Sequence, residues 1–256
     1  MKSGLFNLEY KNHIQGLRGI SILLVLFYHL NFDFFEKGYL GVDIFFVISG
    51  YVITQRIFND FILQNKFSIK DFFIRRIKRI YPVLFFVSGS IVLFFLIFGP
   101  LDHLIKIVFE GIFTIFGLSN LYFLYRQKDY FDSEFDTPFT HSWSLGIEEQ
   151  FYLIYPFLLL LFLINFNDRK LKYLVIFLSI FTFISFFSSL INSNIKPLQV
   201  FYFPLFRFWE FLFGCIIFIV FKGKILKNKY LLYLSIFSLL ITLFIDLKIQ
   251  YIFYNL

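Results

Sequence analysis

The chain has 256 residues, of which 59% are hydrophobic and only 16% are charged. Several apolar runs are long enough to cross a bilayer, which takes roughly 20 residues, so this composition excludes a soluble globular protein. The net charge of +7 does not indicate nucleic-acid binding, because the basic residues collect in short loops between the apolar runs, where the positive-inside rule explains them.

The apolar runs predict spans near 16–34, 39–58, 81–99, 104–125, 145–165, 171–191, 202–221 and 230–246, and a hydrophobic remnant at 249–256. We therefore predict an all-α polytopic transmembrane helical bundle of about eight hydrophobic segments, forming one domain over residues 1–256. Polar and glycine residues interrupt 104–125, so this segment is predicted to be re-entrant or buried against protein. The only cysteine, Cys215, lies in an apolar run and is expected to be a small packing residue. No metal site is predicted.

The loops predict the orientation of the chain. Segment 56–79 is strongly basic and is expected to be cytoplasmic, which also places the N-terminus in the cytoplasm. The basic loops 165–172 and 222–229 are expected on the same side, and the stretch 141–150 toward the outside. The first 13 residues are too polar for a signal peptide, so the first span is predicted to be an uncleaved anchor.

The first span contains Arg18 near its start and His29 near its end. In an α-helix these residues lie nearly on one face, ~16 Å apart along the axis. Ionisable groups at membrane depth are costly and usually face a cavity or a partner, so this face is a candidate functional site. The alternative is that Arg18 anchors the helix at the cytoplasmic interface and His29 lies in the opposite headgroup layer.

Ionisable residues also occur inside other spans. Asp43 lies in the second span, where glycines allow close helix approach, and we expect His29 or Arg18 to be its partner. Alternatively, Asp43 reaches the outer interface. Arg207 and Glu210 are three residues apart in a later span, where an ion pair within the helix would account for both.

A basic segment separates the second and third spans. Ser68 and the acid three residues later have capping-box spacing, which predicts a short amphipathic helix that ends where Pro82 begins the next span. The guanidinium groups of Arg75, Arg76 and Arg79 would cluster on this helix and suit a phosphate-bearing ligand. The alternative is that they only set the topology and contact anionic lipid.

The stretch HSWSLGIEEQFYLIYP is the most polar sequence next to any span. Ser144 is predicted to cap a helix, which puts Glu148 and Glu149 in its first turns, where the helix dipole favours carboxylates. The dipole does not explain His141 and Trp143 ahead of the cap. A histidine, a tryptophan and two carboxylates at a helix mouth are also the parts of a polar-ligand or sugar site.

Together these motifs resemble the acyltransferase-3 family, integral-membrane enzymes that O-acylate surface polysaccharides and other extracytoplasmic acceptors. The resemblance covers residues 13–214 and rests on five motifs in the family's order: GLRGISILLVLFYH, GYLGVDIFFVISGYVIT, FFIRRIKRIYP, HSWSLGIEEQFYLIYP and RFWEFLFG. Members usually continue through further spans, so the chain is expected to lack the C-terminal part of the membrane domain.

The resemblance implies roles for three sets of residues. Arg18 with His29 corresponds to an essential pair on the first helix, and Arg76 with Arg79 to an arginine motif associated with the acyl-CoA donor. The residues predicted to be catalytic are His29, Arg18, Asp43 and Glu148; those predicted to bind the donor are Arg75, Arg76 and Arg79; those predicted to bind the acceptor are His141, Trp143, Glu149 and Arg207.

The predicted function is that of a membrane O-acyltransferase, in particular an O-acetyltransferase. The acyl group would move from cytoplasmic acetyl-CoA or another acyl-CoA, used as co-substrate without a permanently bound cofactor, to a hydroxyl of an extracytoplasmic glycan. His29 can take the hydroxyl proton or carry the acyl group. The expected partners are the lipid bilayer, acyl-CoA and the glycan of a polysaccharide, lipopolysaccharide or other cell-envelope polymer. The expected location is the bacterial cytoplasmic membrane.

Two alternative functions are compatible with the same residues. Intramembrane ionisable residues also mark transport paths, so a transporter of a glycan or small solute is possible, although no matching pair of broken half-helices is visible. The other alternative is a catalytically incomplete remnant of the family.

The ionisable residues are expected to share one outward-opening, water-accessible cavity formed by His29, Asp43, Glu148 and Glu149, because burying each of them separately is costly. Glu148 and Glu149 point about 100° apart in a helix, so only one can face its centre. We favour Glu148, which shares a helix face with Tyr152. Glu149 would then cap the helix or meet a neighbouring helix.

Overall fold

The computed structural model describes residues 12–30, 32–64, 67–127, 137–163 and 168–222. Within these ranges every regular element is helical. Nine α-helices follow in chain order: α1 Asn12–His29, α2 Gly41–Gln64, α3 Ile69–Phe98, α4 Leu101–Ile115, α5 Ser119–Tyr125, α6 Trp143–Leu163, α7 Asp168–Asn192, α8 Pro197–Tyr202 and α9 Pro204–Phe221. Short 3-10 turns lie at Asp33–Phe35, Gly38–Leu40 and Thr140–Ser142.

Five stretches within the described ranges are long and apolar enough to cross a membrane. They are Gly38–Ile62, Ile69–Phe98, Thr140–Leu163, Arg169–Asn192 and Pro204–Phe221. Each contains or overlaps a predicted span, so the prediction of an all-α polytopic membrane bundle is confirmed. The count of eight segments is not confirmed, because 230–246 and 249–256 lie outside the described residues.

Two predicted spans differ from the helices observed. α1 ends at His29 rather than continuing to residue 34, and two 3-10 turns follow before α2. The segment 104–125 is broken, because α4 ends at Ile115 and α5 begins at Ser119. The break agrees with the polar and glycine interruptions in the sequence. Whether this segment crosses the membrane stays a prediction.

α3 begins as predicted but does not end as predicted. The Ser68 hydroxyl accepts a hydrogen bond from the Asp71 backbone N–H at 3.2 Å, which caps the helix. One continuous helix then runs through Pro82 to Phe98. The prediction of a separate short helix is therefore wrong. Pro82 removes one intrahelical hydrogen bond, but membrane helices tolerate this loss, so α3 continues through it.

Contacts along the chain divide it into two compact units. Unit 1 comprises Met1–Lys66, Phe162–Pro197 and Phe208–Leu256, and unit 2 comprises Phe67–Leu161 and Leu198–Arg207. Unit 1 therefore contains α1, α2, α7 and most of α9, while unit 2 contains α3, α4, α5 and nearly all of α6. The single domain expected from the sequence stays a prediction.

Glycines bring α1 and the start of α2 together in unit 1. A Cβ atom on Gly38 would lie 2.2 Å from the carbonyl oxygen of Leu24, and one on Gly41 would lie 2.3 Å from that of Ser21. Neither position accepts a side chain, so the predicted close approach is confirmed. Because later residues of one helix meet earlier residues of the other, the two helices run in opposite directions.

α9 packs on α2 equally closely within unit 1. A Cβ atom on Gly50 would lie 1.9 Å from the Phe211 carbonyl oxygen, and one on Gly214 would lie 1.9 Å from that of Val47. The buried thiol of Cys215 donates to the Gly50 carbonyl at 3.3 Å, which agrees with its expected packing role. The ring of Phe46 stacks on Phe211, and that of Phe58 lies 5.6 Å from Phe218. Later residues of α2 therefore meet later residues of α9, and the two helices run in the same direction.

In unit 2, α3 and α6 pass each other in opposite directions. Phe73 meets Phe157 with ring centroids 6.2 Å apart, and Arg76 meets Glu149. The start of α3 and the end of α6 therefore lie at the same end of unit 2. The predicted cytoplasmic positions of the loops 56–79 and 165–172 require this arrangement, although the side of the membrane stays a prediction.

Candidate active site

An arginine of α3 is bound by carboxylates of α6. The Nε and Nη2 atoms of Arg76 donate to the two carboxylate oxygens of Glu149 at 3.1 and 3.0 Å. Nη2 also lies 3.9 Å from a carboxylate oxygen of Glu148, and the guanidinium carbon lies 3.6 Å from the centre of the Tyr152 ring. The side chains of Arg76 and Glu149 are 16% and 22% exposed. A bidentate, mostly buried pair is the strong form of a charge-assisted hydrogen bond.

This ion pair bears on several expectations drawn from the sequence. Glu149 meets a neighbouring helix, which confirms one of the two positions predicted for it. Arg76 and Glu149 also lie at the same depth of unit 2. The cytoplasmic position expected for 56–79 and the outward position expected for 141–150 stay predictions. Arg75 and Arg79 have exposed side chains. The three arginines therefore do not form one surface cluster, because helix phase turns Arg76 toward α6.

The helix that carries the carboxylates begins earlier than predicted. The 3-10 turn Thr140–Ser142 leads directly into α6 at Trp143, so Ser144 is not its N-cap. Glu148 and Glu149 consequently fall in the second turn, beyond the unsatisfied N–H groups at the start of a helix. Ion pairing with α3, rather than the helix dipole, accounts for the position of Glu149.

Sequence reasoning does not predict the polar network beside this ion pair. The side-chain amide nitrogen of Gln150 donates to the carbonyl of Gly117 at 2.9 Å and to Oδ1 of Asn120 at 2.8 Å. Nδ2 of Asn120 in turn donates to the carbonyl of Tyr202 at 3.0 Å. Gly117 and Asn120 are visible in the sequence as interruptions of an apolar segment, but nothing local indicates that Gln150 is their partner.

A buried carboxylate in α4 was assigned no role from the sequence. Glu110 is 1% exposed, and its Oε2 accepts a hydrogen bond from the Thr137 hydroxyl at 2.5 Å. The Thr137 backbone N–H donates to the Thr140 hydroxyl at 2.9 Å. These bonds hold the turn that precedes α6, where His141 is exposed. In the sequence Glu110 is marked only as an interruption of its segment.

The residues predicted to bind the acceptor lie in different environments. Trp143 is 3% exposed, its ring centroid is 4.4 Å from that of Phe201, and the guanidinium carbon of Arg207 lies 5.7 Å from the centre of its ring. His141 is exposed, and Glu149 is held by α3. Trp143 therefore fills a packed aromatic cluster rather than an open stacking surface. The acceptor role of these residues stays a prediction.

In unit 1, Arg18 and His29 lie on one uninterrupted helix, as predicted. Nδ1 of His29 is 2.7 Å from the carbonyl oxygen of Val25. Since a carbonyl oxygen only accepts, Nδ1 carries the hydrogen, and Nε2 is the basic nitrogen of the neutral ring. The guanidinium carbon of Arg18 lies 5.0 Å from the centre of the Phe45 ring on α2.

Asp43 lies in the first turn of α2, and the glycines of this helix define its helix face. Gly41 faces α1, whereas Gly50 faces α9. Two residues rotate a helix by about 200° and seven residues by about two full turns, so Asp43 shares the face of Gly50. Asp43 thus shares the helix face through which α2 packs on α9, and its pairing with His29 or Arg18 stays a prediction.

The residues of the predicted shared cavity are divided between the two units. His29 and Asp43 belong to unit 1, and Glu148 and Glu149 belong to unit 2. Their convergence on one cavity stays a prediction.

Comparison with known proteins identifies similar sequences. A family described as an acyltransferase domain matches residues 12–255. The O-acetyltransferase OatA of Staphylococcus aureus is 36% identical over 167 residues, which are 65% of this chain and 28% of that protein. The peptidoglycan O-acetyltransferase OatA of Listeria monocytogenes is 35% identical over 212 residues, 82% of this chain and 34% of that protein. The putative peptidoglycan O-acetyltransferase YrhL of Bacillus subtilis is 34% identical over 223 residues, 86% of this chain and 35% of that protein.

The chain therefore spans about a third of the length of these curated relatives. No solved structure matches it.

Proposed function

The chain belongs to the acyltransferase-3 family, and from this membership we propose that it is a membrane O-acetyltransferase that moves an acetyl group from acetyl-CoA to a hydroxyl of a cell-wall glycan. The relatives described above are O-acetyltransferases, and two of them are named for peptidoglycan, which supports a peptidoglycan hydroxyl as the acceptor. The basic loops support a cytoplasmic N-terminus in the bacterial cytoplasmic membrane, with the donor supplied from the cytoplasm.

The observation that carries the proposal is the hydrogen bond between Nδ1 of His29 and the Val25 carbonyl. It orients the ring at the end of α1 and makes Nε2 the basic nitrogen. In the proposed reaction, Nε2 removes the proton of the acceptor hydroxyl while the hydroxyl oxygen attacks the thioester carbonyl. The new C–O bond forms, the C–S bond breaks, and the proton passes from the imidazolium to the departing thiolate of CoA.

The exposed arginines of α3 supply a place for the donor. Arg75 and Arg79 are four residues apart on one face of the helix, and planar guanidinium groups bind phosphate by paired hydrogen bonds. We assign the phosphates of acetyl-CoA to these two residues. Arg76 was predicted to join them, but its bonds to Glu149 support a different role, which is to hold the carboxylates of α6 in place.

The other site assignments remain part of the proposal. Arg18, Asp43 and Glu148 keep catalytic roles, and His141, Trp143, Glu149 and Arg207 keep roles on the acceptor side.

The test uses the full chain in liposomes, with radiolabelled acetyl-CoA and soluble peptidoglycan fragments. The wild-type chain should transfer the label. His29→Asn, whose amide can replace the Nδ1–H donor but has no basic nitrogen, should lose about 100-fold or more of the rate. The matched control is His13→Asn, which changes an exposed histidine of the same helix and should retain the wild-type rate.

Two results would contradict the proposal. One is full transfer by His29→Asn. The other is movement of acceptor fragments across the membrane without acetyl-CoA and without transfer of label, which would instead indicate a transporter.

A further inference from the structure

The break between α4 and α5 has a defined geometry. The Leu118 N–H bonds to the Phe113 carbonyl at 2.8 Å and the Gly117 N–H to the Thr114 carbonyl at 3.0 Å, which are the two bonds of a Schellman motif. Gly117 has a φ of +67°, in the left-handed region that favours glycine. The helix therefore ends at a specified point, and the Gly117 carbonyl is left available to another element.

Glu149 packs directly on this break. A Cβ atom on Gly117 would lie 3.1 Å from Cβ of Glu149 and 3.4 Å from its Cγ. The bare backbone of Gly117 thus contacts the aliphatic part of the Glu149 side chain. Arg76 binds the carboxylate at the other end of the same side chain, so Glu149 is held at both ends.

Gln150, the residue after Glu149, hydrogen-bonds α6 to the break between α4 and α5. Its amide nitrogen has two hydrogens, and the bonds to the Gly117 carbonyl and to Oδ1 of Asn120 account for both. Asn120 is fully buried and is anchored in turn to the Tyr202 carbonyl. Gly146 makes room for it, because a Cβ atom there would lie 2.5 Å from Oδ1 of Asn120.

We propose that Gln150, together with Asn120 and Gly117, is a positioning element for the Glu149–Arg76 ion pair. The inference rests on the proposed acetyltransferase function, in which the carboxylates of α6 belong to the site. Since Gln150 and Glu149 are adjacent, a shift of α6 against the break moves the carboxylate relative to Arg76. A displacement of about 1 Å at a reacting site can cost about 100-fold in rate.

The test compares Gln150→Met, which keeps the length of the side chain but removes both donors, with the control Gln199→Met, which changes an exposed glutamine of α8. Both are made in the full chain in liposomes. Gln150→Met should lower kcat about 10- to 100-fold with KM changed less than about 2-fold. It should also increase labelling of Glu149 by a water-soluble carbodiimide and an amine, measured by mass spectrometry. The control should change neither quantity.

A double-mutant cycle separates positioning from a general loss of stability. If Gln150 acts through Glu149, adding Gln150→Met to Glu149→Gln should lower kcat by less than about 2-fold further, because the group to be positioned is already gone. If the substitution only weakens folding, the two losses should multiply. Gln150→Glu, which keeps the shape of the side chain and replaces the donors by oxygens, is the second variant if Gln150→Met does not accumulate.

Unchanged labelling of Glu149 would overturn the inference whether or not the chain transfers acetyl groups. Increased labelling with a wild-type kcat would overturn it as well. A wild-type chain that transfers no acetyl group contradicts the proposed function, while the labelling experiment still decides whether Gln150 positions Glu149.

Discussion

Arg76 and Glu149 lie 73 residues apart in the sequence and are joined by two hydrogen bonds of 3.1 and 3.0 Å. The pair links the first part of α3 to the second turn of α6. From the sequence, Arg76 is predicted to bind the donor and Glu149 to bind the acceptor. In the structure the two side chains bind each other.

Arg76→Ala should lower the free energy of unfolding by about 2–4 kcal/mol, because it leaves a largely buried carboxylate without its bidentate partner. This loss is slightly smaller than the loss expected for a fully buried ion pair, because both side chains are partly exposed to solvent. Unfolding in detergent measures it. The control Arg79→Ala removes an exposed arginine and should change the free energy by less than about 0.5 kcal/mol.

The double variant Arg76→Met with Glu149→Met should regain most of the stability, because both charges of the bidentate pair are then removed together. Equal losses for Arg76→Ala and Arg79→Ala would show that the ion pair does not stabilise the protein.

Gly117→Ala should destabilise the chain by about 1–2 kcal/mol, because a side chain is strained at positive φ. Its Cβ atom should also displace Glu149 and lower acetyl transfer. Asparagine adopts positive φ more readily than alanine but carries the same Cβ atom. Gly117→Asn should therefore lose less stability than Gly117→Ala and lose the same amount of acetyl-transfer activity. Unfolding and transfer assays on both variants test this separation.

Gly89→Ala is the control for position 117, since a Cβ atom there meets nothing within 4 Å. It replaces glycine inside a helix and should be neutral or stabilising by up to about 1 kcal/mol. If Gly117→Ala and Gly117→Asn both transfer acetyl groups at the wild-type rate, the contact between position 117 and Glu149 does not contribute to activity.

Arg75→Ala with Arg79→Ala should weaken acetyl-CoA binding about 100-fold, because hydrogen bonds to a charged group contribute about 1.5–3 kcal/mol each. Binding is measured by equilibrium dialysis, and orientation by labelling of single cysteines from each side of the membrane. Lys70→Ala with Lys78→Ala is the matched control, since it removes the same charge from the same helix. If the double arginine variant inserts into the membrane in the opposite orientation, these residues determine the topology of the chain and are not shown to bind acetyl-CoA.

Gly214→Ala should destabilise the packing of α2 on α9 by about 1–3 kcal/mol. The new Cβ atom would lie 1.9 Å from the Val47 carbonyl oxygen, a backbone atom that cannot rotate away. The fraction of monodisperse protein after solubilisation and the unfolding free energy both report the effect. Gly19→Ala on α1, where a Cβ atom meets nothing within 4 Å, should behave as wild type.

Several features of the fold follow from short stretches of sequence. In the part of the chain that the structure describes, the apolar runs predict all five helices that are long enough to cross a membrane. Ser68 caps α3 through a residue only three positions away. Gly117 and Asn120 mark the break in their own segment. Such local signals suffice because a membrane helix satisfies its backbone hydrogen bonds within itself, so hydrophobic length and a few cap residues specify it.

Local signals fail where the outcome depends on another helix. Pro82 predicts a helix end, yet α3 continues through it. The helix face of Asp43 likewise has no local sign, because it is defined by the glycines of α2 that contact α1 and α9.

The candidate site shows the same division most clearly. In the sequence, Arg75, Arg76 and Arg79 are three similar basic residues next to a span, and Gln150 is one polar residue at the start of another. Only the packing of α3 and of the α4–α5 break against α6 directs Arg76 to Glu149 and Gln150 to Gly117. The choice requires the relative rotation and depth of helices that are distant in sequence, and side-chain packing along their whole length sets both.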